Sequence, residues 1–184
     1  GTHGKTTTTS LMAWVTDAME LGAGFLIGGI PLNYGQSFRA PKGDAFVIEG
    51  DEYDTAFFDK VPKFTHYRPK NVILTSVEFD HADIYKDLDD VKRAFKMLME
   101  LIPADGTLVY HAEDENIASL LKFCKGRKVS YGLNKGDFRI SDRQVIVGRN
   151  QFSVMKDGQA IADMALKIFG EHNSLNALSV FAMT

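Results

Sequence analysis

Gly1-Thr2-His3-Gly4-Lys5-Thr6-Thr7-Thr8 is the stretch from which the fold class follows. Its glycines let the backbone approach a polyphosphate closely, with N–H groups turned inward, and Lys5 adds positive charge where the terminal phosphates would lie. Thr6 then becomes a candidate magnesium ligand. The full phosphate-loop pattern needs another glycine five residues before Gly4 and a buried strand ahead of it. Both would precede residue 1, so the numbering is expected to start inside a domain. A Gly-Lys-Thr triplet also opens ordinary helices, and the rest of the chain has to decide between the two.

After the loop, Leu11, Met12, Val15 and Met19 recur at the spacing of one helical face, which predicts a helix over 7–20. Phe25-Leu26-Ile27 reads as a short strand. The glycine-rich run Gly28-Gly29-Ile30-Pro31-Leu32-Asn33-Tyr34-Gly35 reads as a loop, a candidate lid or substrate segment. A second apolar run, 45–48, ends in Glu49-Gly50-Asp51-Glu52-Tyr53-Asp54. Carboxylates this dense, just past the C-terminal end of a buried strand, sit where open α/β sheets bind ligands, and they repel one another unless a cation is near. A solvated acidic turn is the plainer reading. Beside a phosphate loop, Glu49 becomes the better candidate for a magnesium ligand, since hard divalent ions take oxygen ligands and leave other positions to water and phosphate.

The logic repeats at Val72-Ile73-Leu74, a strand followed by Glu78-Phe79-Asp80-His81-Ala82-Asp83. A lone loop histidine is more often a surface residue. Here two strands finish in metal-capable side chains, so His81 is a candidate ligand for a second cation. Leu88, Val91, Phe95, Leu98 and Ile102 predict an amphipathic helix over 87–102. A strand at 107–110, a helix at 113–123 and a strand at 128–131 continue the alternation, which implies parallel pairing with right-handed crossovers. From Asn134 the texture becomes hairpin-like. Strands are predicted at 138–140, 145–147, 152–155 and 160–168, separated by Ser141-Asp142, Gly148-Arg149-Asn150 and Lys156-Asp157-Gly158. The fold class is therefore α/β: a P-loop type, mostly parallel sheet flanked by helices, with a small appended antiparallel sheet. A last helix opens at Gly170-Glu171-His172-Asn173-Ser174-Leu175-Asn176, where Asn173 and Asn176 share a face. Paired amides there can cap the helix or read an adenine edge.

Composition limits the partners. The 184 residues are 45% apolar and 24% charged, enough for one domain with a good core. A net charge of −3 argues against a nucleic-acid surface. The single cysteine, Cys124, lies in an apolar helical stretch where packing is its expected role, and it favours a reducing compartment. No apolar run approaches the roughly 18 residues a membrane span needs, so a cytoplasmic protein is expected.

Taken together, residues 1–8, 49–54, 80–83 and 170–176 resemble, in family order, the Mur ligases, which join amino acids or peptides to muramyl nucleotides using ATP. The resemblance implies that Lys5, Glu49 and His81 are catalytic. It gives Thr6 and Glu49 to a first Mg2+ and His81 to a second. Gly1, Thr2, His3, Gly4, Lys5, Thr6 and Thr7 would cradle the ATP phosphates, with Asn173 and Asn176 at the adenine and His172 alongside. Lys96 is a further candidate, as a carbamylated metal ligand, and stays outside the catalytic set. Histidine at position 3 looks like the branch that acts on UDP-N-acetylmuramate directly. Glu49-Gly50-Asp51-Glu52-Tyr53-Asp54-Thr55-Ala56-Phe57-Phe58-Asp59-Lys60, His66-Tyr67-Arg68-Pro69 and Glu78-Phe79-Asp80-His81-Ala82-Asp83 are similar to members that attach the cell-wall tripeptide L-alanyl-γ-D-glutamyl-meso-diaminopimelate through an acyl phosphate, in peptidoglycan recycling. Addition of L-alanine is the alternative, and a nucleotide-binding regulatory module is the alternative from another class. The chain corresponds to the family's central ATP-binding domain. Family members also carry an N-terminal UDP-sugar-binding domain and a C-terminal domain, so the 184 residues alone are expected to bind nucleotide weakly and not to ligate.

Overall fold

The computed structural model describes residues 2–51, 54–56, 59–79 and 85–184. Helix α1 spans Lys5–Ala18, starting two residues before the apolar spacing suggests, because Gly4 turns the chain into the helix at φ +78°. Strands β1 (Gly24–Leu26), β2 (Phe38–Arg39) and β3 (Phe46–Ile48) form a small sheet in the order β2-β1-β3, with β1 and β3 parallel. Strands β4 (Asp54–Ala56) and β5 (Asp59–Pro62) pair as a hairpin, and a short 3-10 turn follows at Lys63–His66.

The main sheet is built from β6 (Asn71–Leu74), β7 (Thr107–His111), β8 (Arg127–Gly132), β9 (Phe138–Ile146), β10 (Arg149–Lys156) and β11 (Gln159–Leu166). Its order is β11-β10-β9-β8-β7-β6. Pairs from β6 to β9 are parallel and those from β9 to β11 antiparallel, so the hairpin strands extend the parallel sheet as one surface. Helix α2 (Leu88–Leu101), α3 (Glu115–Leu120, continued as a 3-10 turn) and α4 (Glu171–Met183) complete the layers.

Adjacent residues of β7 show how the sheet is sandwiched. Leu108 joins Val91, Phe95, Leu98, Met99 and Ile117 in one core, while Val109 joins Val129, Phe152, Val154, Ala177 and Leu178 in the other. Successive side chains of a strand point to opposite faces, so α2 and α3 cover one side and α4 the other. Cys124 is buried in the first core, the packing role expected of it. No helix among the described residues is long and apolar enough to cross a membrane.

Two turn assignments change. Ser141-Asp142 is not a turn: β9 runs through it to Ile146, and the pairing with β10 slips where Gln151 to Ser153 spans Gln144 to Ser141. Asp142, at φ +52°, carries the extra residue of a β-bulge. The next turn is Val147-Gly148 rather than Gly148-Arg149-Asn150, with Ile146 opposite Arg149 and positive φ at both central residues, +48° and +68°. That is a type I′ hairpin, the same chemistry as Asp157-Gly158. Val147 is 94% exposed and gains no burial in return for a left-handed backbone that its branched side chain opposes. Val147→Asn is therefore expected to stabilise the chain by about 1 kcal/mol, read as a higher urea midpoint at unchanged slope. An unchanged or lowered midpoint would count against the strain.

Asn150, read as a turn residue, is instead wholly buried in β10. Its amide donates to Ser174 Oγ (2.9 Å) and to the Gly170 carbonyl (3.3 Å), pinning the start of α4 to the sheet.

Candidate phosphate-binding site

The amino end of α1 is built to receive an anion. A helix leaves its first N–H groups without intrahelical partners and concentrates positive potential there. No side chain caps this end and no acidic residue lies in its first turn. Gly4 is required on two counts. Its φ of +78° is left-handed, and a Cβ there would lie 2.6 Å from Asn176 Oδ1. Lys5 leads the helix, its ammonium 3.3 Å from the Thr2 carbonyl.

The preceding residues are held by the segment after β6. Thr2 N–H donates to the Ser76 carbonyl (3.1 Å), Glu78 N–H donates to Thr2 Oγ1 (3.1 Å), His3 N–H donates to Ser76 Oγ (3.2 Å), and Thr75 Oγ1 donates to the His3 carbonyl (2.6 Å). The His3 ring lies 3.8 Å from Glu78, with both side chains more than half exposed, too solvated an ion pair to fix much.

Glu49 arrives from the other sheet. The parallel register sets Leu26 beside Ile48, and Glu49 N–H continues it by donating to the Leu26 carbonyl. The Glu49 carboxylate thereby reaches two donors, Thr6 Oγ1 at 3.0 Å and Gly28 N–H at 2.8 Å. A Cβ on Gly28 would fall 2.9 Å from Glu49 Oε2, so the close approach depends on that glycine. A hydroxyl and a carboxylate already in contact, beside an anion-binding helix end, are hard oxygen donors of the kind magnesium takes alongside phosphate and water. Among the described residues no group of three or more His, Cys, Asp or Glu side chains gathers. The two described donors, Thr6 Oγ1 and the Glu49 carboxylate, are of a kind that can share an ion with phosphate.

Within the carboxylate cluster only Glu49 and Asp51 have described side chains. Asp51 pairs with the Lys63 ammonium at 2.8 Å, and that contact raises the Lys63 pKa, so its charge is balanced by a lysine. Glu52 and Tyr53, like Gly1 and the 80–84 stretch containing His81, lie outside the described residues. Lys96 pairs with Glu100 at 3.6 Å and its amine lies over the Phe123 ring.

Helix α4 packs on α1. Asn176, 6% exposed, sits against Gly4 and donates to Asn173 Oδ1 at 3.4 Å, while Asn173 Nδ2 donates to the Phe169 carbonyl at 2.7 Å. Neither side chain caps α4, whose N-cap is Gly170. His172 is exposed, with its ring beside Gly170.

The glycine-rich loop is anchored at one end. Tyr34 OH donates to Asp17 (2.8 Å), which also takes both arms of Arg39. The guanidinium holds the Asp17 carboxyl below its usual range, and burial, then Asp17, push the Tyr34 hydroxyl up to about 12. Ahead of that anchor Ile30 and Leu32 are exposed, Leu32 almost completely. Sequence reading missed Gly28 as a carboxylate-holding donor and Thr75 and Ser76 as supports of the loop. The only signal for Gly28 was the glycine pair after β1.

Comparison with known proteins shows the family of the chain. The Mur ligase middle domain matches residues 1–184. The UDP-N-acetylmuramate–L-alanyl-γ-D-glutamyl-meso-2,6-diaminoheptandioate ligase of Haemophilus influenzae is 39% identical over 183 residues, 99% of this chain and 40% of that protein. A UDP-N-acetylmuramate–L-alanine ligase of Clostridium botulinum is 37% identical over 180 residues, 97% of this chain and 38% of that protein. Among solved structures, the UDP-N-acetylmuramate:L-alanyl-γ-D-glutamyl-meso-diaminopimelate ligase of Neisseria meningitides superposes over the whole chain with a TM-score of 0.89 at 39% identity, the match covering 58% of that chain. The chain spans about two fifths of the curated relatives it matches. With the match running from the phosphate loop to the end of α4, the chain belongs to the Mur ligase family, as a middle domain.

Proposed function

We propose that the protein is an ATP-dependent ligase that joins L-alanyl-γ-D-glutamyl-meso-diaminopimelate to UDP-N-acetylmuramate in the cytoplasm, with this chain as its ATP-binding domain. The observation that carries the reading is the Thr6–Glu49 contact beside Lys5 at the open end of α1. Relatives of both tripeptide and L-alanine type support the substrate class, and the Haemophilus and Neisseria proteins favour the tripeptide.

In this reading the substrate carboxylate attacks the γ-phosphorus of ATP and ADP leaves. The peptide amine then adds to the acyl carbon, phosphate leaves, and the amine proton passes to solvent or phosphate. Lys5 and the N–H groups of residues 4–7 hold the phosphates and offset the charge that gathers in transfer. Thr6 and Glu49 would hold Mg2+, which supplies positive charge and alignment to the phosphates when bound. His81 would hold a second cation. Asn173 and Asn176, one turn apart at the start of α4, would meet the adenine, with His172 alongside. No side-chain nucleophile is required.

The test uses the intact protein with ATP, Mg2+ and UDP-N-acetylmuramate, and either tripeptide or L-alanine as acceptor. One ADP released per amide bond with tripeptide, and little with L-alanine, is the expected result. Preference for L-alanine would move the protein to the other branch. ADP release indifferent to both acceptors would favour a regulatory nucleotide-binding module.

A further inference from the structure

The strand β6 ends at Leu74, yet the four residues after it hold the phosphate loop, and their own support comes from an unexpected place. Ser76 and Glu78 present backbone groups to Thr2. Val77, between them, presents its own to the opposite side: its N–H donates to Asp114 Oδ2 at 2.8 Å and its carbonyl accepts from Asn116 Nδ2 at 2.7 Å. This is the alternation of an extended strand with a neighbour on each side. The neighbour on the Val77 side should be β7, which pairs with β6 up to Leu74 opposite Tyr110. Continued to Val77, the register falls at Glu113, where the chain has already turned towards α3. The backbone there is taken up in the turn, Asp114 N–H donating to the His111 carbonyl at 3.4 Å. Two side chains therefore take over where the backbone ladder stops.

Val77 is fully buried beside Leu74 and Ile117, so its backbone groups have little water to fall back on. Asp114 has a second task, since its Oδ1 accepts from Ile117 N–H and caps α3. Asn116 has no such duty to the helix.

We infer that Asp114 and Asn116 are positioning residues for the phosphate loop: by gripping both backbone groups of Val77 they fix Ser76 and Glu78, which in turn fix Thr2 and His3 ahead of Gly4 and Lys5. The inference rests on residues 2–6 being the ATP phosphate site. It predicts that damage at the start of α3 is felt as lost nucleotide affinity.

The experiment separates this role from simple support of α3. Asn116→Ala removes the Val77 contact while improving helix propensity, and Asp114→Ser keeps a capping oxygen for Ile117 but cannot also reach Val77. In the intact protein both variants should raise KM for ATP on the order of tenfold, the effect of losing one buried hydrogen bond, and change kcat at saturating ATP far less. Amide exchange at Thr2, His3 and residues 76–78 should quicken by a similar factor. Asn116→Gln, which keeps a donor, should restore part of the affinity. Faster exchange with unchanged KM for ATP would reduce the pair to structural support and overturn the inference, as would unchanged exchange. If one variant fails to fold, the other decides by the same two readouts. Wild-type protein that binds no ATP would instead sink the proposed function, and exchange at Thr2 and His3 would still decide whether the grip extends to the loop.

Discussion

Lys5→Ala in the intact protein is expected to lower kcat/KM for ATP by about two to three orders of magnitude, the loss that follows when one charged contact to a transferring phosphoryl group is removed. Folding should be almost untouched. Alanine is at least as good a helix former as lysine, and Lys5 is half-buried and outside the apolar core clusters, so the helix keeps its packing. Lys5→Arg is expected to rescue poorly, because the ammonium is a compact point charge close to the Thr2 carbonyl and a planar fork needs different room. Turnover against ATP concentration, paired with a urea unfolding curve, reads both halves. ATP affinity that survives Lys5→Ala would return the Gly4-Lys5-Thr6 stretch to the status of an ordinary helix start.

The sequence carried the parallel half of the fold well, because buried strands followed by amphipathic helices leave period-2 and period-3.6 patterns that few other arrangements produce. Val91, Phe95 and Leu98 line the core as their spacing required. The antiparallel half was legible as strands but not in its turns. Val147-Gly148 hides because a branched residue at positive φ contradicts the residue preferences by which such turns are found, and Ser141-Asp142 resembles a turn while serving as a bulge. In β11 Ala162, Met164 and Leu166 are partly buried at alternate positions while Ala160 is exposed, and Ile168, placed in the strand by its sequence, lies beyond the end of β11 and is exposed.

At the site, residue types with strong chemistry announced themselves and residues acting through the backbone did not. Glu49 and Thr6 lie 43 positions apart and meet because β3 delivers one to the helix start that carries the other. The density of carboxylates suggested a nearby cation and singled out Glu49 as its ligand, while the partner of Asp51, the Lys63 ammonium, was not legible. That pairing depends on the β4–β5 hairpin and 3-10 turn returning the chain, which no local pattern encodes. Asn176 was legible as a polar residue at the helix start, but its place against Gly4 follows from α4 packing on α1, a tertiary fact.

Glu49→Gln isolates the role of charge in that contact. The amide keeps the size of the carboxylate and retains an oxygen for one of its two donors, Thr6 Oγ1 and Gly28 N–H, so the local shape is largely preserved. What goes is the negative charge by which, in the proposed function, the pair would hold a divalent ion. The intact protein should lose about a hundredfold in kcat, consistent with several kcal/mol of transition-state charge stabilisation, and its apparent requirement for Mg2+ should shift to higher concentration. Gly28→Ala provides the contrast, since the added Cβ would sit 2.9 Å from Oε2 and force the carboxylate aside without removing its charge. A displaced ligand still binds, only more weakly, so excess Mg2+ should recover much of the Gly28→Ala activity and little of the Glu49→Gln activity. Wild-type Mg2+ dependence in Glu49→Gln would show that the carboxylate serves only to fix Thr6 and the loop after β1, and the metal would have to be sought elsewhere.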